Sequence, residues 1–212
     1  MNLLNFKDSQ ELFKKYNIII KDTDIFNDKE SVLKFAKKIG FPVILKVFSD
    51  KIVHKTEKGA VITNINDVNE LADVYDSLDK KFKDKEGMMV QKQFDGREVV
   101  VGMAHDNTFG PIIMFGLGGI FVEILKDVSF RVCPLNKKDA LEMIKEIKSF
   151  EVLTNFRGKK KVNLNKLAEL LLNLSKLALK EKEVVSIDFN PVFLNEKEIN
   201  IADFRIIIKK NA

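Results

Sequence analysis

The sequence predicts an α+β protein of two lobes, an N-terminal one over residues 1–94 and a C-terminal one over 95–212. Three observations lead there. Short amphipathic stretches of helical spacing alternate with β-branched runs of strand length. Six of the ten glycines crowd between Gly96 and Gly119, where hairpins rather than helices are expected. No repeat, low-complexity linker or heptad pattern suggests any other organisation.

Taken in order, Ser9–Tyr16 reads as a short helix with Leu12, Phe13 and Tyr16 on one face, and Ile18–Ile20 as a β-branched strand. Asp28 caps a helix over Lys29–Ile39 that Gly40 ends, and Phe41-Pro42 leads into the strand Val43–Phe48. A strand at Ala60–Ile65 follows, then a helix from the Asp67 cap to about Lys83, then a strand at Met88–Phe94. Val99–Met103 and Pro111–Phe115 flank the turn Asn107–Gly110. Strands are expected at Ile120–Leu125 and Val128–Val132, and Asn136 caps a helix over Lys138–Ser149. Leu164–Lys180 is a longer amphipathic helix carrying Leu167, Leu170, Leu171, Leu174, Leu177 and Ala178. Strands Val184–Phe189 and Ile199–Ile208 close the chain around a turn at Asn195–Lys197.

With 45% hydrophobic and 32% charged residues in 212, the composition is that of a soluble globular protein able to bury a sizeable core. No apolar run approaches the roughly 20 residues of a membrane span, and the N-terminus has no signal-peptide pattern. The single cysteine, Cys133, agrees with a reducing, cytoplasmic setting. The net charge of +5 comes from 36 basic residues dispersed among 31 acidic ones. The densest run, Arg157–Lys161, has no aromatic or zinc-finger companion, so neither nucleic acid nor membrane is expected as a partner.

Several residues stand out chemically. Lys46 sits inside Val43-Ile-Leu-Lys-Val47, where an ammonium is costly unless it meets an anion or reaches solvent. Phosphate is the obvious anion. Eight residues on lies His54, one of two histidines, either a surface residue or a phosphoryl acceptor. His105, in a turn, reads as surface. Gly116-Leu-Gly-Gly119 offers backbone N–H groups to an anion, or simply shapes a hairpin, and lacks the rest of a Walker A loop. Glu98 is placed either to accept ribose hydroxyls or to face solvent.

In Asp188-Phe-Asn190-Pro191 the strand period puts Asp188 and Asn190 on one face, and Asp203 lies in the next strand. Asn190 and Asp203 could meet as oxygen ligands of Mg²⁺. Arg131 is a cation in an apolar strand, facing an anion or a carboxylate, and Glu123 is either its partner or a support for the His54 loop.

These motifs together resemble the β subunit of ADP-forming acyl-CoA (acetyl-CoA) synthetases, ATP-grasp proteins related to succinyl-CoA synthetase. The resemblance rests on Leu45-Lys46, Ser49–Lys55, Gly96–Gly102, Phe109–Glu123, Asp127–Arg131, Asp188–Pro191 and Ala202–Ile206, in order along nearly the whole chain. Lys58-Gly59 departs from the two glycines usual in that family. The resemblance implies an ATP-grasp fold with the nucleotide between two lobes. It implies that Lys46 grips ATP/ADP phosphates, that Gln91–Phe94, including Lys92 and Phe94, line the adenine side, and that Glu98 holds ribose. Asn190 and Asp203 would hold Mg²⁺, and Asp203 would also steady the imidazole. His54 would be the phosphohistidine shuttling phosphate to a CoA-binding α subunit in an α2β2 assembly, with Glu123 and Arg131 supporting it. The implied reaction is acyl-CoA + ADP + phosphate ⇌ acid + CoA + ATP. A stand-alone ATP-grasp carboxylate ligase and a nucleotide-sensing module are the other readings these residues leave open.

Overall fold

A computed structural model of the chain describes residues 1–49, 59–119, 126–154 and 161–210. The chain divides into two compact units, one of residues 1–20 with 95–212 and one of residues 21–94. Residues 1–20 thus pack with residues 95–212 and not with residues 21–94. The reason is packing. Strand β1 (Asn2–Leu3) pairs antiparallel with β11 (Phe204–Ile208), and helix α1 (Phe6–Lys15) drives Phe13 edge-on against Phe189 and Phe204, at 5.1 and 5.3 Å between ring centroids.

The smaller unit is an antiparallel four-stranded sheet in the order β2-β5-β3-β4, with β2 Thr23–Phe26, β3 Val43–Phe48, β4 Val61–Ile65 and β5 Gly87–Lys92. Strict alternation decides its faces. Val43, Leu45, Val47, Met88 and Val90 are buried in a core with Val32 and Ala36 of α2 (Lys29–Ile39) and Leu71, Tyr75 and Leu78 of α3 (Val68–Lys81). The caps are those the sequence suggests: Asp28 accepts the Ser31 N–H at 2.8 Å, and Asp67 accepts from Asn69 and Glu70 at 2.8 and 2.9 Å. The alternate residues Ile44, Lys46, Met89 and Gln91 therefore share the sheet face turned away from both helices.

Among the described residues the larger unit holds a seven-stranded antiparallel sheet in the order β1-β11-β9-β6-β7-β8, with β10 (Ile199–Ile201) also paired to β9. Here β6 is Arg97–Asp106, β7 Gly110–Leu117, β8 Val128–Val132 and β9 Val184–Leu194. One face buries Val99, Val101, Met103, Ile113, Ile187 and Phe189 against α1, α4 (Lys137–Glu146) and α5 (Leu164–Lys180). The other face carries Glu98, Gly102, Asp188 and Arg205, with Gly102 opposite Asp188, Asp188 opposite Arg205, and Glu98 opposite Phe193 further along β9.

Two expectations are corrected. Ile18–Ile20 is not a strand: Ile18 is 1% exposed and pegs α1 to the core, its N–H bonded to Phe13 O. The β-branched run met a demand for burial, not for pairing. The strand ahead of α2 is instead β2, which pairs with β5 in the register Thr23↔Gln91. Strand β9 runs through Pro191, where a bulge between β6 and β9 absorbs the missing N–H. The expected strand Ile120–Leu125 lies outside the described residues.

Candidate functional site

In the smaller unit, Lys46 and Gln91 are diagonal neighbours on adjacent strands, since Ile44 lies opposite Gln91 and Lys46 opposite Met89. Lys46 Nζ donates to Gln91 Oε1 at 2.9 Å, and Gln91 Nε2 donates to Thr23 Oγ1 at 2.9 Å. Gln91 is 1% exposed, so its amide is buried with both ends engaged. Lys92 follows Gln91 and so points the other way. Its Nζ donates to Gly40 O and Phe41 O at 3.1 and 2.6 Å, placing a cation on the carbonyl end of α2. Lys46 and Lys92, both expected at the nucleotide, thus stand on opposite faces of the sheet. Backbone N–H groups fix the strand end: Lys92 N reaches Asp22 O, and Gln93 N reaches Pro42 O.

In the larger unit, Asp188, Asn190 and Asp203 gather where β9 meets the start of β11. Phe189 lies opposite Phe204, so Asp203 falls opposite Asn190, and Asn190 N donates to Asp203 O at 3.2 Å. Asp203 Oδ1 accepts the Phe204 N–H at 2.9 Å, which orients the carboxylate. All three side chains are exposed. Although accessible, the Asp188 carboxyl is held above the ordinary range. Desolvation against the sheet outweighs the opposing pull of Arg205, and the negative charge of Asp203 adds to it.

A cation would relieve that repulsion. Mg²⁺ takes oxygen ligands, commonly one or two from protein, with water and nucleotide phosphate completing its shell. An amide and a carboxylate on tied strands suit that demand, and among the described residues no group of three or more His, Cys, Asp or Glu is set to hold a metal unaided. The residues fit Mg²⁺.

Glu98 stands on the same face as Asp188, one strand over, and is exposed. Gly118 explains part of the glycine cluster: its N–H donates to Glu98 O at 2.8 Å, and a Cβ there would sit 3.0 Å from Glu98 Cβ. The glycine lets two backbones approach beside the carboxylate.

Arg131 is not brought to this face. It lies opposite the core residue Ile113, on the helix side, where its guanidinium pairs with Glu146 of α4 at 2.5 Å. Its observed partner is Glu146, and the expected one, Glu123, lies outside the described residues, as does His54. Phe94 is half-buried just beyond β5. Thr23 and Asp188 carried no site assignment from the sequence. Thr23 gives no signal without the β2–β5 register; Asp188 was visible in the period-2 spacing with Asn190.

A family model described as the ATP-grasp domain matches residues 1–208. The β subunit of the ADP-forming acetate–CoA ligase I of Pyrococcus furiosus is 41% identical over 208 residues, which is 95% of this chain and 90% of that subunit. The ADP-forming acetate–CoA ligase I of Archaeoglobus fulgidus is 38% identical over 204 residues, 93% of this chain and 30% of that longer one. A solved structure of the dinucleotide-forming acetyl-coenzyme A synthetase 1 of Ca. Korarchaeum cryptofilum contains coenzyme A and Mg-AMPPCP, with its phosphohistidine segment pointing towards the nucleotide-binding site. It matches with a TM-score of 0.86 at 35% identity, covering 98% of this chain and 93% of that one. On this match along nearly its whole length, the chain belongs to the ATP-grasp family, among the β subunits of ADP-forming acetate–CoA ligases.

Proposed function

We propose that this chain is the nucleotide-handling subunit of an ADP-forming acyl-CoA synthetase, passing a phosphoryl group between an imidazole nitrogen of His54 and ADP. The observation that carries the reading is the near end-to-end match to a β subunit of that activity. The overall reaction is acyl-CoA + ADP + phosphate ⇌ acid + CoA + ATP. In the direction of ATP synthesis, the P–N bond at His54 breaks as a P–O bond forms to a terminal oxygen of ADP, and the imidazole is released for another cycle.

Transfer of this kind needs positioning and neutralisation of negative charge more than covalent help from the protein. Lys46 meets the phosphates, the Gln91–Phe94 backbone borders adenine, and Glu98 accepts from ribose. Asn190 and Asp203 hold Mg²⁺, with Asp188 beside them. Bound Mg²⁺ supplies neutralisation of the phosphate oxygens. Glu123 supports the segment of His54. Arg131, engaged by Glu146, and Lys92, engaged by α2, serve the scaffold in this reading. A CoA-binding α subunit performs the acyl chemistry, in an α2β2 complex located in the cytoplasm. Among the described residues no helix is long and apolar enough to cross a membrane.

The reconstituted complex tests this. His54→Asn is expected to abolish ATP formation from acyl-CoA, ADP and phosphate, while ADP affinity stays within about twofold, since imidazole is the acceptor and not the nucleotide's anchor. Full turnover in that variant would favour a carboxylate ligase that has no use for His54. Nucleotide binding without turnover by the wild-type complex would favour a sensor.

A further inference from the structure

The amide of Gln91 is buried on a sheet face where an apolar residue would cost less. Its hydrogen bonds have a fixed direction. An ammonium can only donate, so the amide must present Oε1 to Lys46, at 2.9 Å. Its Nε2 then faces Thr23, whose hydroxyl accepts at 2.9 Å and donates its own proton to Lys21 O at 3.2 Å. Thr23 is itself 6% exposed and directly paired with Gln91 across β2 and β5. The result is a polarised chain from the backbone of Lys21 to Nζ of Lys46.

We infer that Thr23 and Gln91 are positioning residues for Lys46, holding its ammonium in one place for the nucleotide phosphates. The inference rests on the reading of Lys46 as a phosphate ligand. Lysine is a flexible point charge that loses considerable rotamer freedom when fixed. The buried amide meets that cost in advance of binding, and Thr23 prevents the amide from turning over.

The test is titration of the full chain with ADP and with adenosine, both with Mg²⁺, for Lys46→Met, Thr23→Val, Thr23→Ser and Gln91→Glu. Thr23→Val is nearly isosteric and removes the acceptor of the amide together with the hydroxyl's own bond to Lys21 O. It is expected to weaken ADP about fivefold, the value of one ordinary hydrogen bond, and to leave adenosine unchanged. Thr23→Ser restores ADP affinity. Gln91→Glu keeps the shape but sets a carboxylate where the amide oxygen meets Lys46, and is expected to weaken ADP at least tenfold.

If Lys46→Met weakens ADP while Thr23→Val and Gln91→Glu do not, the positioning role is overturned and Lys46 remains a phosphate ligand. If Thr23→Val weakens both ligands equally, its role is structural and the inference falls. If Lys46→Met leaves ADP binding unchanged, the reading beneath the inference is wrong.

Discussion

Asp127 opens the run Asp127–Arg131, one of those that carry the resemblance to the family, yet its surroundings give it structural work, and Asp127→Asn measures how much. The residue is 8% exposed. Its carboxylate accepts the Lys148 and Ser149 N–H groups, each at 2.8 Å, and the Ser149 hydroxyl in a short contact. These bonds anchor the segment between α4 and the 3₁₀ turn Phe150–Leu153. Desolvation alone would raise the carboxyl's pKa, but the bonds to Ser149 and Lys148 prevail and hold it below the ordinary range. Asparagine keeps one acceptor oxygen and turns an NH2 group toward a donor. One buried N–H or hydroxyl then goes unmatched, at about 1–3 kcal/mol, and the surviving bonds lose charge assistance worth about 1 kcal/mol. The total is roughly 2–4 kcal/mol, a Tm lowered by roughly 5–15 °C in a chain of this size.

The effect must depend on pH. A carboxylate with a depressed folded pKa contributes stability above its unfolded value of about 3.9, and that stability drains away as pH falls through the folded value. Urea unfolding at pH 7 and in steps down to pH 3 therefore should show the gap between wild type and variant closing below about pH 4. ADP affinity at pH 7 should be unchanged. A gap under about 0.5 kcal/mol at pH 7, or one that persists undiminished at pH 3, would refute the reasoning.

Asp203→Asn should weaken Mg²⁺-dependent ADP binding about tenfold or more while barely altering Tm, because Asp203 is exposed and its Phe204 bond survives in the amide; Mg²⁺ titrations read this directly. Gly118→Ala sets a methyl 3.0 Å from Glu98 Cβ, and is expected to raise the KM for nucleotide and cost about 1–3 kcal/mol, measured by steady-state kinetics and thermal melts. Tyr16→Phe removes a 2.7 Å bond to Glu181, about 1 kcal/mol. Burial first, then the Glu181 bond, pushes the phenol up to about 12, so the wild-type advantage is whole below pH 10 and vanishes between pH 10 and 12 in unfolding experiments.

How far the sequence carried the fold depended on whether local chemistry or register decided the matter. The caps at Asp28, Asp67 and Asn136 are local, and each forms as read, the last as a capping box with Asp139. The alternation in Val43–Phe48 fixes its buried face without reference to any neighbour. Strand β2 was hidden because half of Thr23-Asp-Ile-Phe26 is polar and its partner is 62 or more residues away, while Ile18–Ile20 has the composition of a strand and the job of a core peg. The first 20 residues join the larger unit through the β1–β11 ladder and the rings of Phe6 and Phe13 on Phe189 and Phe204, partners that no local pattern names.

The same divide runs through the site. Asn190 and Asp203 were legible because a strand period and a hairpin suffice to juxtapose them. Arg131 was not, because a cation in a strand shows that it needs an anion but not on which side of the sheet. Glu146, on the helix side, answers that need. Lys46 and Lys92 look alike in sequence, and only the β3–β5 register separates their faces. Thr23 bears on Lys46 solely through Gln91, a relation no spacing within the sequence encodes.

Labelling at His54 tests the central claim most directly. The purified chain, alone and with its α subunit, is incubated with Mg²⁺ and ATP labelled at the γ-phosphate, then denatured and assayed for bound label. The account expects acid-labile, alkali-stable label that requires His54 and is lost in His54→Asn. Measurable ATP binding with no label on His54, even in the presence of the α subunit, would contradict it.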